Sequence, residues 1–439
     1  MDAAGSIGCG DLLVRDGTIA ALGPDVTAAL ALCPGGRAEE SYDAAGAFVL
    51  PGFVHAHLHL CQTLFRGLAE QSDLLRWLRQ SIWPLEAAHT EASVAASARL
   101  GLLELLRGGV TCLNDMGAVH HTEATGAVLE EVGIRGVFGK ALMDQGEGVP
   151  RGLLEPPSRA IEEALALAKR FDGAAGGRLQ VSLAPRFILS CSQGLWHDVV
   201  AASAENHLRV HTHLAESPTE SREVSAVVHV SAARYFAAQQ VLSERFIGAH
   251  GVWLEPEELT LLKRANASLV HCPGSNLKLG SGFANLRAWK DAGIRCGIGS
   301  DGAACNNRLD MLNEMSLAAG IARALHPERP LGAREILALA TRDGADALGI
   351  GSITGSLEAG KQADVIVMDG SAPHHGPHES HDPYTTIVHA ARSSDVRLTL
   401  VSGRVLYRDG RWTTLDPERV TAEARAEARG LLRRVEPAQ

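Results

Sequence analysis

Eight short apolar runs of β type recur from about residue 47, each followed by a loop and a longer Ala/Leu/Glu-rich helical pattern. They are Phe48–His59, Gly109–Met116, Ile134–Leu142, Leu179–Pro185, Leu208–Leu214, Phe246–Val252, Ser268–His271 and Cys296–Ser300. Strands that alternate with helices imply a parallel sheet. Eight such units predict a closed (β/α)8 TIM barrel. The runs are almost continuously apolar, as expected of strands covered on both faces. Two flanking segments differ in character. Asp11–Gly23 reads as a hairpin around Asp16-Gly17, and Ala363–Gly370 and Val396–Trp412 carry the same Gly- and Asp-Gly-punctuated strand pattern. The division expected is a small composite β-sandwich domain from both termini (residues 1–46 and 355–415), a barrel over 47–354, and a C-terminal helix over 416–439.

The polar residues at the ends of these runs carry the chemistry. Run one ends His55-Ala-His57-Leu-His59, run five His211-Thr-His213-Leu-Ala-Glu216, run six Gly248-Ala-His250, and run eight is followed by Asp301. Residues two apart on a strand share a face, so His57 and His59 point together into the barrel mouth. One such pair alone is equally a chance doublet or a packed layer, and His55, lying deeper, reads as structural. Barrel active sites are built from strand ends at the C-terminal face. Metal-ligand and acid/base residue types converging there from four strands point to a metal-dependent site.

Composition removes other classes. The net charge of −10, with Lys and Arg scattered, argues against nucleic acid or anionic membrane as a partner. No stretch of eighteen residues is apolar and uncharged, and the N-terminus lacks the basic-then-apolar pattern of a secretory signal. Eight cysteines without a CxxC pair read as reduced thiols in a cytoplasm.

The motifs PGFVHAHLH, HTHLAES, AHGVWL, HCPGSNLKLGSG and GSDGAACNNRLDM resemble, in order and position, those of the amidohydrolase superfamily, in its cytosine/purine/triazine aminohydrolase branch. The segment Leu64–Glu86 is similar to methylthioadenosine/S-adenosylhomocysteine deaminases and 5′-deoxyadenosine deaminases. The resemblance implies one divalent metal, zinc first and Fe2+ as the alternative, held by His57, His59, His213 and Asp301. One position is left for a water whose acidity the metal raises. It implies Asp301 as the acceptor of that water's proton, His250 as a hydrogen-bond partner of the attacking oxygen, and Glu216 as the proton donor to the ring nitrogen. Relatives with two metals use a lysine on the fourth strand; here that strand ends Ala184-Pro185-Arg186, which implies a single metal and ring deamination.

For the substrate, a small heterocycle, the resemblance implies that Glu86 accepts hydrogen bonds from ribose hydroxyls; a solvated helix charge is the other reading. Arg186 replaces the histidine usual in the adenosine-type group and resembles the purine-contacting arginine of guanine deaminases; a rim salt bridge is its other reading. Trp77 and Trp83 read as packing anchors of a lid. The expected reaction is hydrolytic deamination of an adenine nucleoside, an aminohydrolase acting on C–N bonds of cyclic amidines. Guanine, pterin or triazine chemistry is the alternative on the same site, and a non-catalytic metal-binding scaffold the reading from another class. The resemblance also favours a homodimer or homotetramer, and it implies an extra strand ahead of the part matching Met1–Gly23.

Overall fold

The computed structural model describes residues 1–69, 73–376 and 382–435. A hairpin of β1 (Asp11–Arg15) and β2 (Thr18–Gly23) opens the chain. Asp16 and Gly17, at φ 51° and 78°, form the tight turn that the Asp-Gly pair favours. Next come β3 (Ala47–Pro51) and then β4 (Phe53–Leu58), β5 (Val110–Asp115), β6 (Arg135–Leu142) and β7 (Leu179–Pro185). β8 (Arg209–Leu214), β9 (Phe246–His250), β10 (Ser268–His271) and β11 (Arg295–Ile298) complete the series. β4 to β11 pair in parallel in chain order, making the eight-stranded barrel. β4 then meets β11 across a seam, where the Asp301 N–H donates to the His57 carbonyl at 3.1 Å.

The remaining strands are β12 (Val365–Asp369), β13 (Val396–Val401), β14 (Arg404–Arg408) and β15 (Arg411–Trp412). With β3 they form a five-stranded sheet in the order β15-β14-β13-β12-β3. The hairpin packs on it through Ile19, Leu12 and Val14 against Val49, Val365 and Leu400. The small domain is thus assembled from both termini.

The run Phe48–His59, expected to be one barrel strand, is two strands in two sheets. Ala47–Pro51 pairs antiparallel with β12, and only Phe53 onward enters the barrel. The break falls at Pro51-Gly52. Proline has no N–H with which to continue a ladder, and a Cβ on Gly52 would lie 2.1 Å from the Thr111 side chain. The apolar pattern runs unbroken through this point, so periodicity could not show it. The helical pattern through Arg334–Gly349 is likewise two helices, Ala333–Leu339 and Arg342–Ala347.

One ion pair locks the two domains together. Arg135, at the start of β6, donates from Nε to Asp364 Oδ2 at 2.6 Å and from Nη2 to Asp364 Oδ1 at 3.2 Å. Both side chains are buried. The helix Pro417–Val435 buries Val420, Ala424 and Leu431 and packs along the helix Glu91–Arg107, whose N-terminus Thr90 and Ser93 cap reciprocally. Among the described residues no helix is long and apolar enough to cross a membrane. Arg135→Ala leaves the Asp364 carboxylate buried without its partner, and is expected to lower the unfolding free energy by about 3–5 kcal/mol in denaturant titration.

Candidate metal centre and active site

The C-terminal ends of β4, β8, β9 and β11 deliver the polar residues to one place. His57 and His59 leave β4 on the same face, and His213 sits near the end of β8. Asp301 comes three residues after β11. Ligand atoms of His57, His59, His213 and Asp301 all lie within 4.8 Å of one another. Asp301 Oδ1 is 3.2 Å from His57 Nε2 and 3.4 Å from His59 Nε2. His59 Nε2 and His213 Nε2 are 3.2 Å apart.

The outer contacts of these rings set which nitrogen is free. His213 Nδ1 is 2.8 Å from the Arg186 carbonyl, so it carries the proton and donates it there, leaving Nε2 as a bare lone pair. His57 Nδ1 lies 2.8 Å from His211 Nε2. With that proton on Nδ1, His57 Nε2 is bare too, and no hydrogen bond is made to it. Two bare imidazole nitrogens and a carboxylate oxygen crowded into one buried spot repel unless a cation lies among them. The donor set therefore fits a divalent metal. Burial holds His59 and His213 well below the usual imidazole range, which keeps them neutral, as metal ligands must be.

Further titratable groups sit beside this centre. His250 ends β9 with Nδ1 2.9 Å from Asn276 Oδ1, and its Nε2 is 3.5 Å from Glu216 Oε2 and 3.9 Å from Asp301 Oδ2. Burial pushes His250 down to about 4. Burial also works against the charge on Asp301, but close contact with the imidazole cluster, His57 foremost and His59 and His250 beside it, holds its carboxyl well below the usual range. Glu216 moves the other way. Burial first, then repulsion from Asp301 and Glu220, pushes it well above the usual range. Two neighbouring carboxyls are thus driven in opposite directions, Asp301 toward the ionised form and Glu216 toward the protonated one. His250 and Asp301 both hold left-handed backbone, at φ 76° and 63°. Such strain in non-glycine residues clusters at functional sites.

Glu86 and Arg186 meet each other. Arg186 Nη1 donates to Glu86 Oε2 and Nη2 to Oε1 at 3.1 Å, and Gln62 Nε2 reaches Oε1 at 2.9 Å. Burial alone would depress the guanidinium, but the facing Glu86 charge raises it overall. Arg186 and Gln62 line the cleft above the metal ligands, while Glu86 stands behind them. Opposite are Leu74, Trp77, Leu78 and Phe187, an apolar wall suited to a planar ring. Three of these come from a lid helix, Leu74–Ala87, whose middle, Leu78–Ile82, is wound as a π-turn. Trp77 forms part of the wall and Trp83 is buried.

Other residues near the mouth take supporting places. His55 bonds Ser300 at 2.7 Å, and Asn306 bonds the Ser300 carbonyl and Glu314, shaping the loop after β11. His120 contacts the Gly152 carbonyl and His121 is exposed. Several contributors were not singled out from the sequence. Ser275 Oγ and Cys305 Sγ hold Asp301 Oδ2 at 2.7 and 3.0 Å. Glu220 lines the cleft, and burial raises it to about 7. His211 braces His57; the second His-x-His held the signal for it, since His211 shares a face with His213.

Neutral imidazoles and a carboxylate gathered at the C-terminal mouth of a (β/α)8 barrel define the class: a barrel hydrolase built around a divalent-metal site. The chain belongs to the amidohydrolase family, which matches residues 48–406. It is 37% identical over 400 residues to a 5-methylthioadenosine/S-adenosylhomocysteine deaminase of Natronomonas pharaonis, covering 91% of this chain and 90% of that one. To a 5′-deoxyadenosine deaminase of Methanothermobacter thermautotrophicus it is 34% identical, over 97% and 95% of the two chains. The crystal structure of an adenosine deaminase from Xanthomonas campestris with bound zinc superposes with a TM-score of 0.89, at 30% identity, over 97% of this chain and 94% of that one.

His211→Phe removes the brace on His57 and is expected to weaken zinc binding about 10–100-fold, measured by competition with a chelator. Unchanged affinity would show that His57 is held by packing alone.

Proposed function

We propose that this protein removes the amino group of an adenine nucleoside by hydrolysis, releasing ammonia, with adenosine, 5′-deoxyadenosine, methylthioadenosine and S-adenosylhomocysteine as the candidate substrates. The observation that carries this reading is the convergence of four ligand atoms with His250 beside them, its Nε2 3.5 Å from Glu216 and 3.9 Å from Asp301. His57, His59, His213 and Asp301 would hold the metal, zinc first and Fe2+ second. When bound, it supplies Lewis acidity that makes water a nucleophile near neutral pH.

The chain's own groups do the rest. Ionised Asp301 accepts a proton from the attacking water at Oδ2, where Ser275 and Cys305 fix its orientation. His250, with Nδ1 tied to Asn276, turns Nε2 toward the same oxygen. Protonated Glu216 hands its proton to the ring nitrogen next to the attacked carbon, which ends aromaticity; the proton held by Asp301 then passes to the amino group, which leaves as ammonia while the new hydroxyl returns its proton to Glu216. The wall of Leu74, Trp77, Leu78 and Phe187 holds the ring flat and keeps bulk water away. Arg186 and Glu86 are the proposed substrate-binding pair. Arg186 faces the cleft as a donor to purine nitrogens, and the acceptor capacity left on Glu86 suits a sugar hydroxyl. Relatives named for adenine nucleosides support this choice. A cytoplasmic setting is supported by eight free thiols, six of them buried.

Ammonia release across a purine, pterin and triazine panel tests the reading. Turnover confined to guanine or a chlorotriazine would select the other chemistry, which the guanidinium of Arg186 in the cleft would also serve. Glu216→Gln is expected to lower kcat/KM by about 10²–10⁴-fold on every substrate while leaving metal content intact. Glu86→Ala is expected to raise KM for nucleosides about tenfold or more, the loss of a charge-assisted hydrogen bond, with free bases unaffected. Equal losses on bases and nucleosides would make Glu86 a support for Arg186 only.

A further inference from the structure

A second convergence of metal-binding atoms lies in the small domain, on residues that the chemistry of the barrel mouth does not use. After β12 the chain runs through a short turn, Pro373–His375. There His374 Nε2 and His375 Nε2 approach one and the same oxygen, Oδ2 of Asp395, at 2.8 and 3.0 Å. Asp395 immediately precedes β13. The three ligand atoms all lie within 4.8 Å of one another. The two rings are tilted by 51° with centroids 4.5 Å apart, so their nitrogens reach the carboxylate from different directions. The His375 ring also stacks at 6.1 Å on Phe48 of β3. β3 runs from there toward the barrel, whose first mouth residues, His57 and His59, stand at the far end of β4, so this cluster and the mouth lie at opposite ends of that path.

We propose that His374, His375 and Asp395 form a second zinc site, which ties the segment after β12 to the start of β13. Two imidazoles and a carboxylate are a donor set that zinc accepts. In a tetrahedral zinc site neighbouring donor atoms stand roughly 3.3 Å apart, so each imidazole nitrogen needs to part from the carboxylate oxygen by only a few tenths of an ångström. Each neutral imidazole moves its proton to Nδ1 and offers Nε2, and the carboxylate is the anionic ligand. Outer contacts already orient that carboxylate: the Arg392 N–H donates to Oδ2 at 2.8 Å and the Ser394 hydroxyl to Oδ1 at 3.4 Å. His375 and Asp395 are 1% and 5% exposed, whereas His374 is 22% exposed, which leaves one side through which an ion and a water ligand arrive.

The test is zinc stoichiometry on the full chain. Zinc alone is added back after exhaustive chelation to the native protein, to the double variant H374A/H375A, and to His374→Gln, whose amide can still donate to Asp395 and so preserves the loop. Each variant is expected to retain one zinc fewer per chain than the native protein against a competing chelator. The zinc-dependent rise in Tm should be smaller in the variants, and their turnover unchanged. Equal zinc content in native and variant proteins would overturn the site. The difference of one is independent of the barrel mouth: if the mouth took no metal, the counts would fall together but the gap would persist.

Discussion

Across the seam where β11 meets β4, the Asp301 N–H donates to the carbonyl of His57, and the rest of the site depends on that closure. One residue pair sets how near the strands come. A Cβ on Gly299 would lie 2.5 Å from the His57 carbonyl oxygen, so only glycine lets the backbone of β11 lie against that of β4. The approach places a carboxylate beside two imidazoles that lie more than two hundred residues earlier in the chain. The left-handed backbone at Asp301 is stabilised by the same contact, because the peptide that turns there is the one that donates across the seam.

Electrostatics derive from that geometry. Five imidazoles and three carboxyls (His57, His59, His211, His213, His250, Glu216, Glu220 and Asp301) are buried or nearly so in one mouth. Burial by itself would neutralise every one of them. Burial does lower His59, His211, His213 and His250, and a neutral ring is the form that can offer a nitrogen to a metal. Of the carboxyls, Asp301 has the nearest imidazole contacts, 3.2 Å to His57 and 3.4 Å to His59, and is held toward the ionised form; its charge then helps to keep Glu216 protonated. The opposite tendencies of Asp301 and Glu216 are therefore consequences of position, on two side chains of the same chemistry.

The substrate side uses a different logic. Glu86 comes from a lid helix and Arg186 from the end of β7, so their bidentate pair ties lid to barrel. A buried pair of this kind contributes orientation more than stability. The π-turn at Leu78–Ile82 adds a residue to that turn and rotates the rest of the helix, so that Trp77 and Leu78 face the cleft while Glu86 reaches Arg186.

Much of this was legible in the chain. Eight apolar runs with intervening helical patterns encode a barrel because a strand covered on both faces must be apolar throughout. The two His-x-His pairs encode side chains that converge on the barrel mouth because alternate residues on a strand share a face. The break at Pro51-Gly52 was hidden, since strands of two different sheets can be equally apolar. Ser275, Cys305, Gln62 and Glu220 were hidden too, because a hydroxyl, thiol, amide or carboxylate acquires a role only from what it faces. What the sequence determined by itself is local: period, parity and the residue types at strand ends. Which carboxyl is charged, that Glu86 and Arg186 hold each other, and that His211 braces His57 were decided by the tertiary structure, because each depends on distances between segments that only barrel closure brings together.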